Sequence, residues 1–263
     1  MLSPNLYTQI ESIIRSAGQK IKSASVTSST VHQKEGLANF VTNFDIEIQK
    51  FLIREFSAIL PEAGFYGEED TEGSGRDLTE PYIFYIDPID GTTNFIFGYQ
   101  FSCVSVGLAY KGTVIAGFVY NPYTDSMYKA VRGEGAYMND RPLHIENKSI
   151  EEGIVAFGCA RYNEGDTDLL FATVKELYLR SLCVRNGGSA ALDLCRVAAG
   201  ANTVYFELKL QPYDYAAASI IIEEAGGVIT QVDGQKITLD APCSILAGTV
   251  KACEEVKTLM ETL

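Results

Sequence analysis

Positive charge is the first thing this sequence lacks. Its 263 residues hold 21 lysines and arginines against 34 aspartates and glutamates, a formal net charge of −13. That balance opposes direct binding to nucleic acid or to an anionic membrane surface. Six cysteines stand at 103, 159, 183, 195, 243 and 253, and no two form a C-x-x-C pair. Most have apolar neighbours, so they read as small buried hydrophobes of a reducing compartment. Neither histidine, His32 or His144, sits in a metal-ligand motif, which argues against zinc. No apolar run approaches the roughly 18–20 residues that cross a bilayer. The first residues, MLSPNLYTQIESIIRSAGQK, lack the basic and continuously apolar segments of a secretory signal. The expectation is a soluble, cytoplasmic protein without repeats or low-complexity tracts.

The sequence does have core-forming residues: 46% are hydrophobic and 11% aromatic, enough for a sizeable core. Ser3-Pro4 reads as a helix start, followed by Ile10, Ile13, Ile14, Ala17 and Ile21 on one face. Residues 23–31 read as a loop. A second helix follows Asp45 and carries Ile48, Leu52, Phe56, Ile59 and Leu60 inward. Residues 103–131 read as antiparallel strands, with Lys111-Gly112 as a hairpin turn. Residues 132–140 read as a bend with an architectural role. The second half alternates strands with helices, including a helix over 167–180 and another that opens after Gly188-Ser189. The pattern is α+β in one domain over 1–263, with halves dividing near residues 145 and 146.

The chain is organised around residues 82–98, YIFYIDPIDGTTNFIFG. Five strand formers, 82–86, run into Asp87-Pro88-Ile89-Asp90-Gly91-Thr92-Thr93-Asn94. Pro88 fixes its own φ and holds Asp87 extended, and Gly91 permits a turn that a Cβ would resist. The reading is a strand that stops at Ile86 and turns, with Thr92 or Thr93 opening a short helix. Two carboxylates there suit a hard divalent cation, and N–H groups at a helix start suit a phosphate. A plain Asp-Gly turn is the simpler reading of D-x-x-D-G alone.

The full string, Asp87 to Phe95, resembles the central motif of the inositol monophosphatase family, the lithium-sensitive, magnesium-dependent phosphatases. Other stretches from Lys34 to Gly227 agree: V-T-x-x-D ending at Asp45, G-E-E at Glu68-Glu69, Gly188-Ser189-Ala190-Ala191, and Asp214-Tyr215-Ala216-Ala217, where Tyr213 replaces the usual Trp. The resemblance implies a layered αβαβα sandwich, antiparallel in the first half and mixed in the second, and usually dimeric. It implies two or three Mg²⁺ ions on Glu68, Asp87, the Ile89 carbonyl, Asp90 and Asp214, with Asp90 as bridge. Asp45, Thr92 and Glu68 become catalytic residues. Gly91, Thr92 and Thr93 seat the phosphate, with Asp90 and Asp214 beside the substrate. Gly188, Ser189, Ala190 and Glu207 meet the substrate's hydroxyls, and Lys34 lies near the pocket. The activity implied is hydrolysis of a small phosphate monoester, with myo-inositol 1-phosphate first. Fructose 1,6-bisphosphate, adenosine 3′,5′-bisphosphate or NADP, and histidinol phosphate are substrates of the same superfamily. A regulatory role is the reading from another class, because some bacterial relatives bind transcription machinery.

Overall fold

The computed structural model describes residues 2–24, 31–33, 40–71, 79–159 and 167–263. Lys34 and most of the loop after Asp70 lie outside the described residues.

Helix α1 (Pro4–Ser23) starts as expected, with the Ser3 hydroxyl accepting from the Leu6 N–H and Pro4 in the first turn. Helix α2 (Asn43–Ile59) starts with a capping box: Thr42 is the N-cap and Asp45 reaches back to it. Both helices lay their apolar faces on a seven-stranded sheet of β3 (Ala63–Gly67), β4 (Tyr82–Asp90), β5 (Cys103–Tyr110), β6 (Thr113–Asn121), β7 (Ser126–Val131), β8 (Ala136–Met138) and β9 (Arg141–Pro142), in that order. Lys111 and Gly112 both have positive φ, the geometry of a tight two-residue hairpin turn.

Four details differ from the expectation. The sheet is antiparallel except at its first pair, where β3 runs parallel to β4. Val31 begins a small strand, β1 (Val31–Gln33), paired with β2 (Phe40–Thr42), and Ser23 closes α1, so the loop is shorter at both ends. The expected bend over 132–140 contains β8. There the N–H groups of Gly133 and Gly135 donate to the Glu224 carboxylate, and Arg132 pairs with Glu223, which fits an architectural part. Finally, β4 does not stop at Ile86. It pairs with β5 as far as Asp90, with one extra residue between Asp87 and Asp90. Pro88 has no N–H to give the ladder, so the strand bulges there and continues.

A second sheet has the order β11 (Cys183–Arg185), β10 (Ile154–Phe157), β12 (Val204–Leu210), β14 (Cys243–Gly248), β13 (Val228–Thr230). It is mixed: β10 is parallel to β11 and β12, and β14 is antiparallel to its neighbours. Helices α5 (Ala190–Ala198) and α6 (Pro212–Glu224) fill the space between the sheets. Helices α4 (Thr167–Arg180) and α7 (Val250–Met260) cover the far face. The layers are therefore α, β, α, β, α, as the motif resemblance implies. No described helix is long and apolar enough to cross a membrane.

Helix α6 is apolar nearly all round because it is buried on both sides. Its fit depends on Gly107 and Gly117, which face each other across β5 and β6. A Cβ on Gly117 would lie 2.2 Å from the Ala217 carbonyl oxygen, and one on Gly107 would lie 2.9 Å from the Ala216 Cβ. The helix thus packs backbone to backbone, and its first turn reaches the end of β4.

Candidate active site

The end of β4, the first turns of α2 and α6, and the turn after β3 converge. Asp87 and Asp90 come from the bulged end of β4, both buried. Asp45 comes from the first turn of α2 and is fully buried. Glu68 and Glu69 follow β3. An oxygen from each of Asp45, Glu68 and Glu69 lies within 4.8 Å of the others. Asp214 sits in the first turn of α6, where its Oδ2 accepts from the Gln211 N–H at 2.7 Å.

The electrostatics show how closely these groups crowd. Burial pushes the Asp87 carboxyl well above the usual range, and Glu68, Asp90, Asp214 and Asp45 push it further. Asp214 is raised by burial, then by Asp90 and Glu68. Asp45 is pushed up to about 6 by burial, although Thr42 opposes the shift through its N–H at 2.8 Å and its hydroxyl at 2.5 Å. The main charges acting on Asp87 are all negative, an arrangement that favours proton uptake or a cation.

Asp90 differs. Its Oδ2 accepts from the Ser189 hydroxyl at 2.6 Å, the Ala191 N–H at 2.7 Å and the Cys103 thiol at 3.8 Å. Its Oδ1 accepts from the Ala190 N–H at 3.3 Å. Burial raises this carboxyl too, but these donors pull it down. The N-terminus of α5 therefore holds a protein carboxylate. Ser189 and the Ala190 N–H, expected to meet substrate hydroxyls, serve Asp90 in this structure.

The turn after β4 forms as expected. Gly91 is left-handed, at φ 87°, and α3 (Thr92–Ile96) follows it. A Cβ on Gly91 would crowd the carbonyls of Phe101 at 3.0 Å and Gly188 at 3.1 Å. The Thr92 hydroxyl lies 3.2 Å from Asp45 Oδ1 and 3.1 Å from the Ile89 carbonyl. The expected Asp45–Thr92 pair is thus a direct contact. Glu207 lies on β12, buried, and its charge reaches Asp214. Thr93 and Gly188 are exposed beside the same turn.

Several contributors were missed in the sequence. Gln49 is fully buried; its amide accepts from the Glu69 N–H at 3.0 Å and donates to the Glu69 carbonyl at 2.6 Å. A glutamine beside Ile48 on the inward face of α2 was the available signal. Asn94 donates to the carbonyls of Phe101 and Gly187, each at 2.8 Å, tying the motif turn to the turn before α5. Ser105, opposite Asp87 in the ladder, buries its hydroxyl with no hydrogen-bond partner among the described residues.

A model of the inositol monophosphatase family matches residues 2–261. The chain belongs to the inositol monophosphatase family. The inositol-1-monophosphatase of Bacillus subtilis (strain 168) is 35% identical over 250 residues, which cover 92% of each chain. Among solved structures, the extragenic suppressor protein suhB from Bartonella henselae matches with a TM-score of 0.88 at 29% identity, covering 98% of both chains. The inositol monophosphate-bound SaIMPase-II matches with a TM-score of 0.81 at 29% identity, covering 97% of this chain and 92% of its own; the same protein is also known with 2′AMP bound. Family membership identifies a phosphatase of metal-dependent type, and the carboxylates of Asp45, Glu68 and Glu69 are a group that could hold a metal.

Proposed function

We propose that this protein is a Mg²⁺-dependent phosphatase of small phosphate monoesters, with myo-inositol 1-phosphate as its substrate, working as a cytoplasmic homodimer and inhibited by lithium. The observation that carries the reading is the convergence of Asp45, Glu68, Asp87, Asp90 and Asp214 from four separate stretches of chain.

The residues fit the metal. Every candidate ligand is an oxygen, the preference of Mg²⁺. The carboxylates that crowd Asp87 cost free energy when ionised unless a cation joins them. The buried Ser105 hydroxyl is a further polar group in want of a partner. Glu68, Asp87, the Ile89 carbonyl, Asp90 and Asp214 would hold the ions. Asp90 was the bridge implied by the motif. Its oxygens are already served by Ser189, Ala190 and Ala191. Asp87 faces Glu68, Asp90, Asp214 and Asp45, so of these ligands it would gain most from a bound cation. Bound divalent cations supply charge stabilisation to phosphoryl transfer.

The chain's own residues do the rest. The Thr92 hydroxyl donates to Asp45 Oδ1, so its oxygen can accept from a water and pass that water's proton through the hydroxyl to the Asp45 carboxylate. Burial raises the Asp45 carboxyl in the metal-free protein, and a cation beside it would lower it again. The N–H groups of Gly91, Thr92 and Thr93 seat the phosphate, and the left-handed Gly91 gives that approach. Asp90 and Asp214 flank the ester, and Glu207 accepts from a hydroxyl of the leaving polyol. A nucleoside 2′-phosphate is the second reading, favoured by the SaIMPase-II complex with 2′AMP.

A phosphate-release screen tests the reading. Inositol 1-phosphate, 2′AMP, adenosine 3′,5′-bisphosphate, histidinol phosphate and fructose 1,6-bisphosphate are each assayed with and without Mg²⁺. The highest kcat/KM is expected on inositol 1-phosphate, and only with metal. Metal-independent turnover would contradict the proposal.

A further inference from the structure

Strand β12 divides its side chains between two layers. Val204 and Phe206 pack outward with α4 and α7. Tyr205 packs inward with α5 and α6, and Glu207, two residues on, shares its face. Both are buried, with Tyr205 1% and Glu207 5% exposed. The Tyr205 hydroxyl donates to Glu207 Oε2 at 2.5 Å. A phenol donating to a buried carboxylate makes a charge-assisted bond, about twice as strong as a neutral one. Gly158 leaves the room for it: a Cβ there would lie 1.9 Å from Glu207 Oε2 and 2.5 Å from the Tyr205 hydroxyl. Glu207 acts electrostatically on Asp214 and on the exposed Cys159.

Given the polyol-phosphate reading above, we infer that Tyr205 is a positioning residue that fixes the plane of the Glu207 carboxylate, and that the pair selects phosphate esters carrying a hydroxyl near the ester oxygen. A carboxylate held at one oxygen by a buried phenol does not rotate, so its direction of acceptance is set in advance. The pair does not touch the reacting atoms. It acts on binding, and an aryl phosphate without that hydroxyl makes no use of it.

The variant Tyr205→Phe removes one oxygen and keeps the ring packing. Assays with Mg²⁺ compare inositol 1-phosphate with p-nitrophenyl phosphate. The KM for inositol 1-phosphate is expected to rise about tenfold, the scale of one charged hydrogen bond, with kcat nearly unchanged. Turnover of p-nitrophenyl phosphate should hold. In a Glu207→Ala background, where no side-chain acceptor is left for the phenol to hold, Tyr205→Phe should add no further change in KM. Gly158→Ala presses on the same bond from the other side and should reproduce the KM effect, a second route if the first variant folds poorly. Equal losses on both substrates, or a KM for inositol 1-phosphate that does not move, would overturn the inference. A wild-type protein that turns over the aryl ester and not inositol 1-phosphate would overturn the polyol reading, and the selection with it.

Discussion

Asp87 and Asp90 leave the same strand three residues apart, both buried, and their surroundings are opposite. Asp90 faces the start of α5 and collects a hydroxyl, two N–H groups and a thiol. Asp87 faces four other carboxylates, and the local donor it meets is the Ile89 N–H at 3.1 Å. The extra residue at Pro88 sets both side chains on one face of the sheet, opposite Ser105 and Cys103, where Asp90 meets the start of α5 and Asp87 meets Glu68 and Asp214. A carboxylate satisfied by protein donors is held in one direction. A carboxylate surrounded by its own kind is a place for a cation. Spacing in the motif does not separate these roles; the neighbours that each residue meets on that shared face do.

The comparison breaks most visibly in activity. Asp87→Asn should lower kcat by about 10²–10³-fold, the scale of losing one preorganised electrostatic stabiliser. Asp90→Asn should cost less in kcat, because an amide at 90 still accepts from Ser189 and Ala191. Steady-state kinetics on the best substrate checks the order, and an equal or larger loss at Asp90 would contradict this ranking.

Next is the tether itself. Ser189→Ala removes the 2.6 Å bond to Asp90 and the N-cap of α5. It should cost about 2 kcal/mol of stability, as for a hydrogen bond to a charged group, and kcat should fall less than in Asp87→Asn. Chemical denaturation and kinetics measure the two separately.

The pH dependence sharpens the contrast from another side. Asp45 has a folded pKa of about 6 against an ordinary 3.8. Its contribution to the stability of the metal-free protein is complete below about pH 4 and is lost as the pH rises through 6. A shift of this size corresponds to roughly 3 kcal/mol. Metal-free Asp45→Asn should therefore melt higher than wild type at pH 7 and show little difference at pH 4. Thermal scans at the two pH values check this.

Much of this was legible in the sequence. The motif from Asp87 to Phe95 placed the turn, and Ser3-Pro4, Lys111-Gly112 and Ser189 marked their elements through local chemistry that acts within a few residues. The layered architecture followed from the motif resemblance and the alternation of elements. Long-range consequences were not legible. The continuation of β4 to Asp90 depends on β5 lying alongside it, and local turn signals at Pro88 argued the other way. The capture of Asp90 by Ser189 joins residues 99 positions apart. Gln49 gains its role only from the turn at Glu69, twenty residues on, whose N–H and carbonyl it binds. Gly107 and Gly117 gave no hint that a helix backbone would rest between them.

The central claim is that carboxylates distant in sequence form one cation site. Calorimetric titration of Mg²⁺ into wild type, Asp87→Asn and Asp214→Asn tests it most directly. Asp87 sits at the end of β4 and Asp214 at the start of α6, 127 positions later in the chain. Each single variant should lose most of the Mg²⁺ binding seen in wild type while keeping a cooperative melting transition. Wild-type Mg²⁺ binding in Asp214→Asn would mean that the two groups do not share a metal, and the account would fail.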